Sequence, residues 1–476
     1  MDLLEFVPLF DELIWMRRKK NLPPGPYALP IFGYLPFLGS EAYRTLYNLS
    51  QKYGPIFSLY LGRKLVIVLN NYDVVKEALS NVNIMDRPEH PPNHLLPDSI
   101  NMAISSGEIW KEQKLFFIQT IRKLGMGKQE MERLIQEELQ QFCREIENGK
   151  GSPINLGPLL MTSVSNNIFA LLTGRKLNYT DKDRLFLNDS LALMTLYFRP
   201  TRIHAFFPSV KSWMAKLKIW GYDEVRSQML KLSEFINGQI EEHKNSSNCG
   251  SSNYIDEFLA HMNEHNSTTF TERMLRGNIQ SLFGAGSTPA RATIEWALVC
   301  MVLYPDIQKV VHEELDSVIG KERFPAWNDF KTLPYTTAVM YEVMRKCTII
   351  PISMLRTNRT KCRIGGYDVP EGSIIMTNIW GVHHDSKVWR DPFTFRPERF
   401  LQNGDVVKPS EFIPFSYGRR KCPGEEMALM EVFLYFTTLM QRYNIEPPAE
   451  NVSCYKKVLG IANMAIPDNI CLKLRE

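Results

Sequence analysis

Residues 412–440 read "FIPFSYGRRKCPGEEMALMEVFLYFTTLM", and their reading decides the fold. Cys422 sits in a turn bracketed by Gly418 and Gly424, and a long apolar helix follows. That helix opens on Glu425 and Glu426, as the positive end of a helix dipole favours. A cysteine at a helix start, beside Arg420 and Lys421, has its thiolate form stabilised by backbone amides, dipole and neighbouring cations. The glycines let the backbone approach a flat group closely. A buried, inert cysteine is the plain alternative. Against it stands the whole string F-x-x-G-x-R-x-C-x-G, formed by Phe415, Gly418, Arg420, Cys422 and Gly424.

Outward from this loop, composition sets limits. The chain has 476 residues, enough for one large domain or two to three smaller ones. Hydrophobic residues make up 44% and charged residues 23%, as in ordinary globular proteins. A net charge of +4 at this length does not point to nucleic acid. The 8 cysteines are scattered with no C-x-x-C, which argues against zinc or a disulfide framework and for a reducing compartment.

Helical periodicity dominates, over 128–147, 222–243, 270–303, 306–319 and 336–347. Strand patterns cluster early (55–70) and late (363–378 and 469–474), and the polar stretch 241–257 reads as one surface loop. The expected fold is therefore mainly α with small β-sheets, in a single domain over 21–476 that draws β pieces from both ends of the chain.

Residues 1–20 stand apart. A bilayer span needs about 20 mostly apolar residues, and this stretch carries Asp2, Glu5, Asp11 and Glu12. Leu3, Val7, Phe10 and Ile14 share one helical side, and Arg17 to Lys20 form a basic run. The pattern suits a peripheral membrane-associating leader on a cytoplasmic surface, or a solvated leader helix.

The Cys422 loop resembles the haem-ligand loop of the cytochrome P-450 superfamily. Other stretches agree: "LPPGP" (22–26), "DRP" (86–88), Glu342 and Arg345 in "YEVMRK", and "FRPERF" with Arg399. Together they look like the animal microsomal branch, akin to its family 2, and imply the single-domain fold of that superfamily. The resemblance implies haem b (iron protoporphyrin IX) with Cys422 as the metal ligand. Trp110, Lys114, Arg356 and Arg420 would lie at the haem propionates, with Phe415 and Gly424 beside the ring. Lys114 stands where the family usually has arginine, so it loses the two-pronged fork, and a solvated lysine is the plain alternative. Glu342, Arg345 and Arg399 would form a buried structural triad. Electrons would come from NADPH through NADPH–cytochrome P-450 reductase, docked near Lys111, Arg122, Lys123, Arg419 and Lys421, with cytochrome b5 as a further possible donor. The location implied is the cytoplasmic face of the endoplasmic reticulum membrane.

One departure is marked. "SLFGAGSTPARATIEW" (281–296) resembles the family's central helix, where an acid and a threonine follow Ala-Gly and organise proton delivery to oxygen. Here Thr288 takes the place of the acid and Pro289 that of the threonine. Proline in a helix costs about 3 kcal/mol, but in the family this helix is already widened there, so the fold should survive. Ala285 and Phe283 would face the substrate, with stretches 93–104, 351–355 and 460–466 completing the pocket. Three functions remain open: a monooxygenase acting on an apolar lipid, steroid or foreign compound, a redox-independent isomerase or dehydratase of hydroperoxides, and a non-catalytic haem protein.

Overall fold

The computed structural model describes residues 21–88, 100–148, 155–197, 206–207, 216–217, 221–245, 253–264, 268–447, 453–467 and 470–475. The expected leader 1–20 and residues 93–99 of the expected pocket wall lie outside them.

Thirteen α-helices carry the described fold. In chain order they are α1 (Ala42–Tyr53), α2 (Tyr72–Ser80), α3 (Gly107–Lys123), α4 (Gln129–Asn148), α5 (Leu156–Thr173), α6 (Lys182–Tyr197) and α7 (Tyr222–Asn245). There follow α8 (Tyr254–Glu264), α9 (Glu272–Leu303), α10 (Pro305–Val318), α11 (Pro334–Cys347), α12 (Ile379–His383) and α13 (Glu425–Arg442). The five stretches with helical periodicity match helices to within two residues at each end. The expected loop at 241–257 is shorter than its polarity suggested, because α7 continues to Asn245 and α8 starts at Tyr254. Charged residues there form one solvated helix face rather than a loop.

The central element is α9. Its start is fixed by Thr271, whose hydroxyl accepts from the Met274 amide at 3.2 Å, and Pro305 ends it by opening the next helix. It packs against α5, α13 and a late hairpin formed by β5 (Tyr455–Leu459) and β6 (Asn463–Pro467). Gly286 lets α9 approach α5: a Cβ there would lie 2.8 Å from Ile168. Although α5 is long and apolar enough to cross a membrane, most of it is buried inside the protein, so it is a core helix.

The early and late strand regions meet in one sheet. β1 (Ile56–Leu61) pairs antiparallel with β2 (Lys64–Leu69), and β2 pairs parallel with β4 (Ile374–Thr377), matching Val66 with Ile374. β3 (Arg356–Thr357) adds to the far edge of β4. Parallel pairing across some 300 residues needs the helical body in between as its crossover, which is why both chain ends supply the β structure.

Glu342 and Arg345 on α11 are both fully buried. Arg345 donates to Glu342 through Nε (2.7 Å) and Nη2 (2.8 Å), and through its other protons to the carbonyls of His383 and Pro392. Arg399 donates to the same carboxylate at 3.1 Å and to carbonyls of Arg390, Asp391 and Thr394. A buried ion network is tolerable only when its members find partners, and these do. The geometry ties α11 to the loop that leads to Cys422.

Candidate functional site

The Cys422 turn is held by its own backbone. The Cys422 amide donates to the Phe415 carbonyl (3.0 Å) and the Lys421 amide to the Gly418 carbonyl (3.1 Å). Gly418 has φ +76°, and a Cβ there would lie 2.2 Å from the Leu79 carbonyl oxygen. This glycine therefore admits the backbone of α2, not a flat ligand, which corrects the reading of that glycine. Gly424 differs: a Cβ there would meet nothing within 4 Å, so the space beside the thiol is open. Burial is the largest influence on Cys422 and raises its thiol pKa, outweighing the Gly424 amide and the lysines 421 and 114. Helix start and cations alone do not favour the thiolate here; a bound metal ion would supply the missing charge.

Next to this turn lies a cationic hole. The Arg420 guanidinium stacks over the Trp110 ring at 4.1 Å and donates to the Ser105 carbonyl at 2.6 Å. Its Nε and Nη1 are buried without a partner, as is Nε of Arg356. Arg356 reaches the Arg420 carbonyl at 3.3 Å. Lys114 donates to the Arg419 carbonyl, and its ammonium lies 5.4 Å from the Trp110 ring centre. Arg87 completes the group, donating to the carbonyls of Ala103, Met354 and Leu355.

No carboxylate hydrogen-bonds any of these four cations among the described residues, and nearby Asp86 is committed to Arg359. Burial, then mutual repulsion, lowers the pKa of Arg356 far below its usual range and that of Arg420 to about 9. Burial alone takes Arg87 down to about 10. Nothing local in "DRP" marks Arg87 for this role: an arginine set among three other cations is visible only once the chain folds.

Across the domain, α9 runs unbroken through Pro289. Most of this stretch is buried, yet Ala285 is exposed, with Leu282, Gly286 and Pro289 partly so. These four fall at i, i+3, i+4 and i+7, one open face of the helix. Proline offers no N–H to the Ala285 carbonyl. Pro289 lies on that face, whereas Thr288 is buried on the flank, its hydroxyl 3.3 Å from that of Thr195 on α6. Phe283 does not join Ala285: it is 3% exposed and packs with Phe169, Leu187 and Leu232 between helices.

A thiol turn at a helix start, an open space beside it, a carboxylate-free cluster of cations and a long helix with one open face define a haem-thiolate protein. The chain belongs to the cytochrome P450 family, whose model matches residues 23–472. It is 34% identical to cytochrome P450 2J1 of Oryctolagus cuniculus, over 97% of this chain and 93% of the relative. Cytochrome P450 2J2 of Homo sapiens is 33% identical with the same coverage, and cytochrome P450 2U1 of Bos taurus 30% identical over 97% and 91%. The chain is thus a P450 monooxygenase of the animal family 2 kind, with haem as its cofactor. The residues present fit that group: two propionates would supply the anions the cationic hole lacks, and the ring would fill the open space at Gly424.

Proposed function

We propose that the protein inserts one oxygen atom of O2 into an apolar small molecule, using electrons from NADPH delivered by a reductase at the cytoplasmic face of the endoplasmic reticulum. The carboxylate-free cationic hole beside Cys422 carries this reading, because it is costly without a dianionic partner. Cys422 would hold the iron, its thiolate donating the electron density that favours O–O cleavage. Arg87, Arg356, Arg420 and Lys114 would bind the propionates, with Trp110 stacked against Arg420. When bound, the haem would supply the activation of dioxygen.

The open face of α9 would seat the substrate over Leu282 and Ala285, where apolar side chains exclude water. Electrons would enter on the Cys422 side, where Lys111, Arg122, Lys123, Arg419 and Lys421 are all exposed. Exposed Tyr27, Leu29, Ile31, Phe32 and Phe37 follow directly after the leader and support membrane association.

Pro289 at the open face favours a second reading, a redox-independent isomerase of hydroperoxides, since such a reaction needs no proton relay for oxygen activation. Two measurements decide. The reduced carbon monoxide complex should show the red-shifted band of thiolate haem, lost in Cys422→Ala. With reductase present, the protein should consume NADPH and O2; rapid hydroperoxide turnover without NADPH would replace this reading by the isomerase.

A further inference from the structure

Residues 100–105 run between the central helix and the cationic hole, and they are bonded to both. On the α9 side, the Met102 amide donates to Asn278 Oδ1 at 2.8 Å. The Asn278 carboxamide spends its two protons on Gln113 Oε1 of α3 (2.8 Å) and on the Tyr254 hydroxyl of α8 (3.2 Å). Its orientation is thereby fixed, since a flipped amide would set N–H against N–H. Asn278 is 1% exposed. One residue earlier, Gly277 lets the segment lie on the helix: a Cβ there would come 1.8 Å from the Ile100 carbonyl oxygen.

The other side of the same segment holds the cations. The Ala103 carbonyl accepts from Arg87 Nε at 2.9 Å, and the Ser105 carbonyl from Arg420 Nη2 at 2.6 Å. Between these points the segment is one tight turn. The Asn101 side chain accepts from the amides of Ala103 and Ile104, and the Asn101 carbonyl from the Ser105 amide at 3.0 Å. A displacement at Met102 is therefore passed on to both carbonyls.

We infer that Asn278 is a positioning residue for cofactor retention. By hooking the Met102 amide it seats residues 100–105 on α9, and so holds the Ala103 and Ser105 carbonyls that orient Arg87 and Arg420. Arg420 then keeps Nε and Nη1 free for an anion. The inference rests on the reading of the cationic hole as the propionate site.

The test uses the haem-loaded, full-length protein, and reads haem transfer to apomyoglobin together with hydrogen exchange of the amides of residues 101–105. Asn278→Leu should speed exchange at Met102 and speed haem loss by about threefold or more. Gly277→Ala lifts the same segment without touching the carboxamide, and should do likewise, although alanine in a helix interior otherwise stabilises. If Asn278→Leu does not fold, Gly277→Ala decides alone. Tyr254→Phe removes one partner of Asn278 but keeps the Met102 bond, and should leave haem loss unchanged. Unchanged exchange in the two α9 variants, or faster exchange with unchanged haem loss, would overturn the inference. Arg420→Met separates it from the reading beneath it. Unchanged haem loss in Arg420→Met would sink the propionate site itself, whereas faster loss there but not in the α9 variants would sink this inference alone. Asn278→Leu should add less to Arg420→Met than to the unaltered protein, because one residue acts through the other. Full additivity would make Asn278 merely structural and overturn the inference.

Discussion

Arg356 donates through Nη2 to the main-chain carbonyl of Arg420 at 3.3 Å, so two buried guanidiniums are bound to one another's surroundings rather than to an acid. Such a contact is tolerable only while something anionic fills the remaining space.

Removing one of these cations should act oppositely on the empty and the filled protein. Arg420→Met deletes a guanidinium with two unpartnered nitrogens, so the haem-free protein should gain roughly 1–3 kcal/mol. The haem-loaded protein should lose its cofactor at least tenfold faster, about 1.4 kcal/mol or more of lost affinity. Haem transfer to apomyoglobin and thermal midpoints of both forms measure this. An arginine that stabilises both forms equally contradicts the cationic-hole reading.

Pro289→Thr returns an N–H toward the Ala285 carbonyl and puts a hydroxyl on the open face of α9. A relay group contributes about 10²–10⁴-fold where it acts, so peroxide released per NADPH should fall clearly. Stability against unfolding should rise, by up to the ~3 kcal/mol a proline costs in a regular helix. Unchanged peroxide release would mean that Pro289 is no handicap.

The proposed docking face divides by its existing partners. Lys111, Lys123 and Lys421 already pair with Glu108, Glu257 and Glu425, whereas Arg122 and Arg419 hold no ion pair among the described residues. Charge reversal at Arg122 or Arg419 should therefore slow reductase-driven haem reduction more than reversal at the three lysines. The difference should shrink as salt shortens the Debye length from about 10 Å at 0.1 M to 3 Å at 1 M. Stopped-flow reduction at two ionic strengths checks both points.

Glu431 on α13 is 1% exposed and held by the Asn167 amide at 2.9 Å, and burial pushes its carboxyl up to about 8. Its folded pKa thus lies above the unfolded value of about 4.3, so its contribution is full below that value. The contribution declines as pH rises to about 8 and is constant above it. Glu431→Gln removes the titration, and urea midpoints between pH 5 and 9 should fall less steeply in the variant, by an amount on the order of a few kcal/mol. Parallel slopes would place the alkaline sensitivity elsewhere.

Most of the architecture was legible along the chain, because helical periodicity and the thiol loop are local. Helix α9 over 270–303, the strands at 55–70 and the Glu342–Arg345 spacing needed no partner to be read. Two readings failed where a distant group decided. Gly418 answers to Leu79, and Phe283 packs among other helices rather than beside Ala285. At Cys422 the Gly424 amide and Lys421 act as read, and burial outweighs them.

By itself the sequence determined the fold class, the thiol loop and the proline inside the central helix, since each depends on residues a few positions apart. Only the tertiary structure decided which groups face one another. Arg87 joins Arg356 and Arg420 across more than 260 residues, and Thr288 finds Thr195 rather than the open face where Pro289 lies. Desolvation and hydrogen-bond direction set what those groups do, and both exist only once distant segments have excluded water from between them.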